Sequence, residues 1–336
     1  MARQPAAQST NAPTFASVFD AIVANVSRVI HGKEEPIRLA LVCLLSEGHL
    51  LLEDVPGVGK TTLAKALSKS FDLECRRIQF TPDLLPSDVT GTSVYDRATG
   101  SFSFRPGPVF ANVVIGDEIN RASPKTQSAL LEAMQERQVT IETTTHLLPS
   151  PFLVIGTQNP IEHEGTYPLP ESQLDRFLLR IRMGYPDRDA ELTMLESSGA
   201  SAAGANSIAL VESLPTVADM ATVPAMIDAA RRVHTAAALR GYVVDLATAT
   251  RNHPALALGM SPRCTLALQG AARTLAAADG RDYVIPDDVK ALFGPVVEHR
   301  LVLSPEAVVS GIELREVLTD VLRAVAVPSG RAGLAG

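Results

Sequence analysis

Short apolar runs recur through the first half of the chain: "HLLLE" (His49–Glu53), "RRIQF" (Arg76–Phe80), "NVVIG" (Asn112–Gly116), "FLVIG" (Phe152–Gly156) and "LLRIR" (Leu178–Arg182). They are too short for buried helices, and most are too uniformly apolar for strands with one wet face, so they predict strands covered on both sides. Helix-length segments separate them. That alternation predicts an α/β layer around a largely parallel sheet. The pattern changes near Pro186. Beyond it, Ala- and Leu-rich segments such as Val223–Leu239, Pro262–Ala278 and Pro305–Val325 predict an all-helical second domain. Within it, "YVIPDDVKALF" (Tyr283–Phe293) reads as a helix start, with Pro286 early and acids in the first turn. "SSGASAAGANS" (Ser197–Ser207) predicts a flexible loop, and "MARQPAAQSTNAPT" a polar tail. The expected division is a tail over 1–14, an α/β domain over 15–186, a helical domain over 187–328 and a second tail over 329–336.

Two stretches interrupt the alternation. "RATGSFSFRPGP", inside Leu84–Phe110, alternates Phe102 and Phe104 with polar residues and ends on Pro106 and Pro108, which predicts a hairpin with a glycine turn. "QVTIETTTHLLPSPF" (Gln138–Phe152) predicts a second extended pair.

Composition adds bounds. The 336 residues suffice for two domains, and 46% hydrophobic with 20% charged residues excludes a disordered chain. A net charge of −7 argues against a nonspecific grip on nucleic acid or anionic membrane. No run reaches the roughly 18 apolar residues of a membrane span. Cys43, Cys75 and Cys264 lack C-x-x-C spacing, which predicts reduced thiols in a cytoplasmic protein. The histidines show no paired spacing suited to zinc, and neither Ser128 nor Cys43 has an evident His/Asp partner for covalent catalysis.

The chemistry begins at "LLEDVPGVGKTTLAKAL" (Leu51–Leu67), where an apolar run leads into a glycine loop and then a segment with Leu63 and Leu67 at helical spacing. Strand, loop and helix in that order form a phosphate-binding loop. Gly57, Val58 and Gly59 let backbone N–H groups turn onto phosphate oxygens, Lys60 reaches the β and γ phosphates, and the Thr61 hydroxyl, followed by Thr62, ligates Mg²⁺. The common pattern G-x-x-x-x-G-K-[ST] begins with glycine, where this chain has Asp54. The anion cradle is expected to survive, with an altered first step into the loop.

Downstream, "NVVIGDEINRA" ends a buried strand in adjacent acids. Asp117 is placed to hold Mg²⁺, and Glu118 to polarise a water against the γ phosphate. "FLVIGTQNP" puts Asn159 past the carboxyl end of another strand, where parallel sheets hold their ligands, so it can orient the attacking water or sense the γ phosphate.

The ordered set "HGKEEPIRLAL", "PGVGKTTLA", "DEINRA", "GTQNP", "LPESQLDRF" and "SPR" resembles the MoxR family of AAA+ ATPases, over residues 15 to 325. The resemblance implies a P-loop AAA+ core with a helical lid, binding ATP or ADP with Mg²⁺. It makes Asp117 and Glu118 the Walker B pair, Asn159 the sensor-1 asparagine, Arg176 the arginine finger offered to a neighbouring subunit and Arg263 the sensor-2 arginine of the lid. His31 and Gly32, in "VIHGKEE" (Val29–Glu35), fall in the segment bordering the adenine. A planar guanidinium suits charge spread over γ-phosphate oxygens better than an ammonium does. Arg121 supports the acidic pair or lines a subunit interface.

The resemblance further implies a homo-oligomeric ring, a hexamer by family inference, acting like a chaperone on client complexes, often with a partner carrying a von Willebrand factor A domain. It places the two hairpins, over 92–108 and 138–152, as insertions positioned to touch a client. The alternatives are a nucleotide-gated interaction module with negligible turnover and a chelatase- or helicase-like motor. A GTPase would need a guanine-reading N-K-x-D, which the chain lacks, and a small-molecule kinase would not call for the helical domain carrying "SPR".

Overall fold

Leu50, Leu51 and Leu52 are all buried, and they divide between two cores: Leu50 and Leu52 face one side of the sheet and Leu51 the other. The same alternation holds for Val113 and Ile115 against Val114, and for Leu153 and Ile155 against Val154. Strands that bury both faces need a cover on each, and the chain supplies it with helices. The computed structural model describes residues 14–55, 57–98, 100–159, 165–197 and 209–328. Residues 1–13 of the tail expected over 1–14, the tail over 329–336, and the Ser197–Ser207 stretch from residue 198 lie outside the described residues, and Thr14 caps α1, its side chain accepting the Ser17 N–H.

In chain order the elements are α1 (Phe15–Ser27), α2 (Glu34–Leu45), β1 (Leu50–Glu53), α3 (Lys60–Ser70), β2 (Cys75–Gln79), α4 (Pro86–Thr90), β3 (Gly91–Asp96), β4 (Ser101–Pro106), β5 (Val113–Asp117), α5 (Pro124–Glu136), β6 (Gln138–Ile141), β7 (Thr144–Leu147), β8 (Leu153–Gln158), α6 (Glu171–Leu174), β9 (Leu179–Ile181) and α7 (Arg188–Ser197). Five of the strands form one parallel sheet in the order β2-β5-β8-β1-β9. They are the five apolar runs, each within two residues of its expected bounds. From β1 the chain crosses to the far edge at β2 and works back through β5 and β8, then steps over β1 to β9. Crossovers therefore diverge between β8 and β1. That is where a parallel sheet opens a crevice at its carboxyl ends.

Both expected hairpins form. β3 pairs with β4 and β6 with β7, in the β2–β5 and β5–β8 connections. His146 of the second hairpin stacks on Phe104 of the first at 4.0 Å, joining the two. The neighbouring Tyr95–Phe102 pair stays exposed.

The helices beyond residue 209 are Thr222–Arg232, Ala237–Arg251, Pro262–Ala278, Pro286–Val297, Pro305–Val309 and Leu314–Ala324. Except for Pro305–Val309, whose Ala307 packs in a small separate cluster with Ala255 and Val317, they share one apolar core with α1, α2 and α3, to which Phe19, Ile22, Leu268, Ala272 and Phe293 all belong. Two expected helical segments are each divided. Val223–Leu239 breaks at Val233–Ala236, because His234 pairs along an extended strand: its N–H donates to Asp282 O (2.8 Å) and its carbonyl accepts Val284 N–H (2.9 Å). Pro305–Val325 breaks after Val309, where Gly311 takes φ +71° and reverses the chain. A two-stranded antiparallel ribbon, Leu256–Leu258 with Val302–Leu303, also joins these helices. No helix among the described residues is long and apolar enough to cross a membrane.

His49 closes the amino end of β1. Its Nδ1 accepts the Val154 N–H (3.0 Å) and its Nε2–H donates to the Met134 carbonyl (3.0 Å). Burial pushes its pKa down to about 4. The unfolded chain therefore binds a proton below about pH 6.5 that the folded chain refuses until about 4, so stability falls as the pH drops through that window. We expect wild type to lose about 2 kcal/mol from this group between pH 7.5 and pH 5 in urea denaturation. His49→Gln, which keeps the donor to Met134 and cannot titrate, should flatten that slope. An unchanged pH dependence in the variant would refute the assignment.

Candidate active site

The glycine loop follows β1 and opens α3, as expected. Gly57 and Gly59 sit at φ +87° and +94°, in the left-handed region that an L side chain enters at a cost, and a Cβ built on either meets nothing within 4 Å. The glycines are required by backbone conformation, and the concave face above them is open. Val58 between them is half-buried and packs its side chain against the core. Lys60, Thr61 and Thr62 form the first turn of α3, with its N-terminal N–H groups directed at the loop.

Asp54 does not take a left-handed conformation, so this position needs no glycine. Its side chain has a separate task. Oδ2 accepts the Gly184 N–H (2.6 Å) and Oδ1 the Val55 N–H (2.9 Å), tying the loop to the segment that leaves β9. Lys33 Nζ donates to the next carbonyl of that segment, Tyr185 O, at 2.6 Å. Gly32, at φ +68°, lies against Asp187 and Ala190, so the His31–Gly32 turn faces the start of α7.

The acids occupy the carboxyl end of β5, two strands from the loop. Thr157, buried on β8, organises both. Its hydroxyl donates to Asp117 Oδ1 (2.6 Å) and accepts the Glu118 N–H (2.9 Å). Arg77 donates through Nε to Asp117 Oδ2 (3.1 Å). Glu118 is held left-handed, at φ 56° and ψ 51°, and its Oε2 accepts from Gln79 Nε2 and Arg121 Nη1, both at 3.1 Å. Arg121 thus supports the acidic pair. Asn159 follows β8, where the adjacent Gln158 carbonyl accepts the Asp54 N–H (3.1 Å), so it borders the loop.

Lys60 sits among these groups. Its Nζ donates to the Asp54 carbonyl (2.7 Å), and half-burial lowers its pKa against the opposing pull of Asp117, Asp54 and Glu118. A cation set among three carboxylates beside a cradle of N–H donors matches a magnesium-bound polyphosphate. Hydroxyl and carboxylate oxygens from Thr61 and Asp117 are the hard donors that Mg²⁺ takes.

Arg176 and Arg263 lie elsewhere. Leu178 N–H donates to His49 O (2.7 Å), which sets Arg176 beyond the amino end of β1, a strand length of about 13 Å from the loop. Arg263 is exposed on the first turn of the Pro262–Ala278 helix, and its charge acts on His49 at the same end. Among the described residues neither side chain has an ion pair. The structure therefore gathers Gly57 to Thr62, Asp117, Glu118 and Asn159 at one end of the sheet and leaves both arginines at the other. Sequence reasoning missed Thr157, Arg77 and Gln79. Thr157 and Gln79 are signalled only by polarity at the ends of their strands, and Arg77, in the middle of the largely exposed β2, by nothing local.

Comparison with known proteins gives a consistent result. Residues 49–179 match the ATPase family associated with various cellular activities (AAA), and residues 248–327 match the AAA lid domain. Chaperone MoxR1 of Mycobacterium tuberculosis is 44% identical over 91% of this chain and 81% of its own length. Protein MoxR of Paracoccus denitrificans is 33% identical over 84% and 88%. A crystal structure of a protein from Cytophaga hutchinsonii, 37% identical, superposes with a TM-score of 0.85 over 94% of this chain and 96% of that one.

The Asp54–Gly184 bond has a measurable consequence. Asp54→Ala leaves the Gly184 and Val55 N–H groups without their acceptor and should cost about 1–2 kcal/mol in urea denaturation. Asp54→Asn, which keeps one acceptor oxygen, should lose about half of that. Equal stability of all three proteins would show that the side chain fastens nothing.

Proposed function

Because this chain belongs to the MoxR family of AAA+ ATPases, we propose that it hydrolyses ATP to ADP and phosphate with Mg²⁺, at sites completed between copies of the chain in a ring. The observation that carries this reading is the division of the candidate residues: cradle, acids and Asn159 at one end of the sheet, Arg176 and Arg263 at the other. One copy cannot bring both sets to one phosphate. Two copies packed end to side can.

The roles follow from the positions. Gly57 to Gly59 and the start of α3 receive the phosphates on backbone N–H groups, and Lys60 balances the charge of the β and γ groups. Mg²⁺, held by Thr61 and Asp117, would neutralise phosphate charge as a hard Lewis acid. Glu118 takes a proton from the attacking water once its carboxylate leaves Gln79 and Arg121. Asn159 orients that water, and the neighbour's Arg176 meets the charge that grows on the γ oxygens. His31 and Gly32 border the adenine. Arg263 is presented beside Arg176 and joins it at the neighbour's nucleotide.

The AAA-domain and lid matches, with the sheet ending at Ile181, support domains over 15–186 and 187–328. Chaperone-like remodelling of client complexes, a hexameric ring, a partner with a von Willebrand factor A domain and a cytoplasmic location extend the same family reading. The exposed Tyr95 and Phe102 on the first hairpin support contact with a client.

Glu118→Gln should reduce phosphate release by at least about 100-fold while nucleotide affinity changes little. Unchanged hydrolysis by the purified variant removes Glu118 from the reaction. Arg176→Ala should also be slow, and mixing it with Glu118→Gln subunits should restore activity, because the intact acid of one copy then meets the intact arginine of the other. Absence of recovery in mixed assemblies would count against sites shared between subunits.

A further inference from the structure

We propose that Arg300 is the positioning residue for Arg176: it fastens the loop that presents this arginine to the helical domain, so that finger and lid move as one body. The proposal rests on the reading of Arg176 as a group acting on a neighbour's nucleotide.

Arg300 ends the turn after the Pro286–Val297 helix, and its side chain is only 4% exposed. Its contacts bracket Arg176. Nε lies 2.8 Å from Asp175 Oδ1. Nη2 donates to Phe177 O (2.8 Å) and Asp175 O (3.3 Å). Nη1 donates to Val296 O on its own helix (2.6 Å) and reaches Leu178 O (3.5 Å) and Cys264 Sγ (3.7 Å). The neighbouring His299 donates through Nε2–H to Phe177 O (2.9 Å), and burial holds that imidazole neutral. Residues 175, 177 and 178 are thus all fixed from the lid. The Arg176 side chain between them has no hydrogen bond or ion pair among the described residues, while its backbone N–H donates to Gln173 O (3.2 Å), so its direction is set by the backbone.

Stability is a poor reason for this arrangement. Burying a guanidinium is expensive, and a well-packed apolar side chain of similar volume serves a fold at least as well. The junction is also not optimised for bonding. Gln173 Oε1 and His299 Nδ1 are buried here without a hydrogen-bond partner among the described residues, and Asp175 Oδ1 and Arg300 Nε meet only each other. The Arg300–Asp175 pair is close and ionic without being aligned as a hydrogen bond. Buried polar atoms left in this state in one place point to a geometry kept for a task. What the guanidinium supplies, and no other side chain can, is a rigid fork that grips several carbonyls of one loop at once.

The test uses the full-length protein in mixed assemblies. Arg300→Met fills the site without the fork, and Asp175→Asn removes the ionic partner while leaving Arg300 in place. Both should bind nucleotide within about twofold of wild type and lose at least tenfold in kcat, since a displacement of about 1 Å in a catalytic group costs up to 100-fold. Adding Glu118→Gln subunits should then restore activity, as it should for Arg176→Ala, because the variant's own phosphate loop is intact and is served by a sound finger. Mixing with Arg176→Ala should restore nothing. Asp175→Asn keeps the question open to measurement if Arg300→Met does not fold. Wild-type kcat in either folded variant overturns the proposal, as does a loss that Glu118→Gln cannot rescue where it rescues Arg176→Ala. If Arg176→Ala is itself not rescued, the shared-site reading fails, and this proposal with it.

Discussion

A parallel strand has one carboxyl end, and neighbours in register must place theirs side by side. Here Leu50 of β1 pairs with Ile155 of β8, which pairs with Ile115 of β5, so the chain leaves all three strands at one rim. Everything chemical at the candidate site follows from that alignment. Each strand buries its apolar residues and spends its last positions on polar ones: the loop beyond Glu53, Asp117 and Glu118 beyond Gly116, Thr157 to Asn159 beyond Gly156. Charges that would be costly inside the sheet are tolerated at its rim, where Lys60 stands against three carboxylates and solvent is within reach.

The same alignment sets what one chain cannot do. Arg176 and Arg263 are carried by segments that approach the opposite rim, and the sheet is rigid because both faces are packed. Bending the arginines round to their own phosphate loop would require opening two cores. Reaching a second molecule requires only that the rims meet. Under the proposed roles of Arg176 and Arg263, self-association is thus the cheaper route to a complete site.

How much of this was legible beforehand depends on range along the chain. The glycine loop, the acidic pair and the five strands are local patterns, in which each residue type answers to neighbours a few positions away. The fold class followed from them. Thr157, Gln79 and Arg77 act across strands some 40 residues apart, and no spacing rule announces such a pairing. Asp54 stood out as a departure from the common loop, but its bond to Gly184 spans 130 residues and became visible only when the edge strand was placed. The divided helices teach the same lesson. Alanine and leucine content predicts helix at His234, and a tertiary strand contact with Tyr283 overrides it.

Glu118 shows how the candidate site holds a main chain and its side chain by different means. A left-handed residue other than glycine costs of order 1 kcal/mol, and here that cost is set against a backbone N–H fixed on the buried Thr157 hydroxyl. The carboxylate is treated differently. Its partners, Gln79 and Arg121, are solvent-facing side chains, and bonds of that kind are worth about 1 kcal/mol or less each. The backbone stays where Thr157 puts it while the carboxylate exchanges partners at little cost. The role proposed for Glu118, accepting a proton and releasing it again in every cycle, needs that combination. Had the carboxylate been buried in an ion pair, its departure would have left an uncompensated charge in the interior, at a cost of several kcal/mol. The buried attachment therefore belongs to the main chain, and the exchangeable one to the carboxylate for which the reaction is proposed.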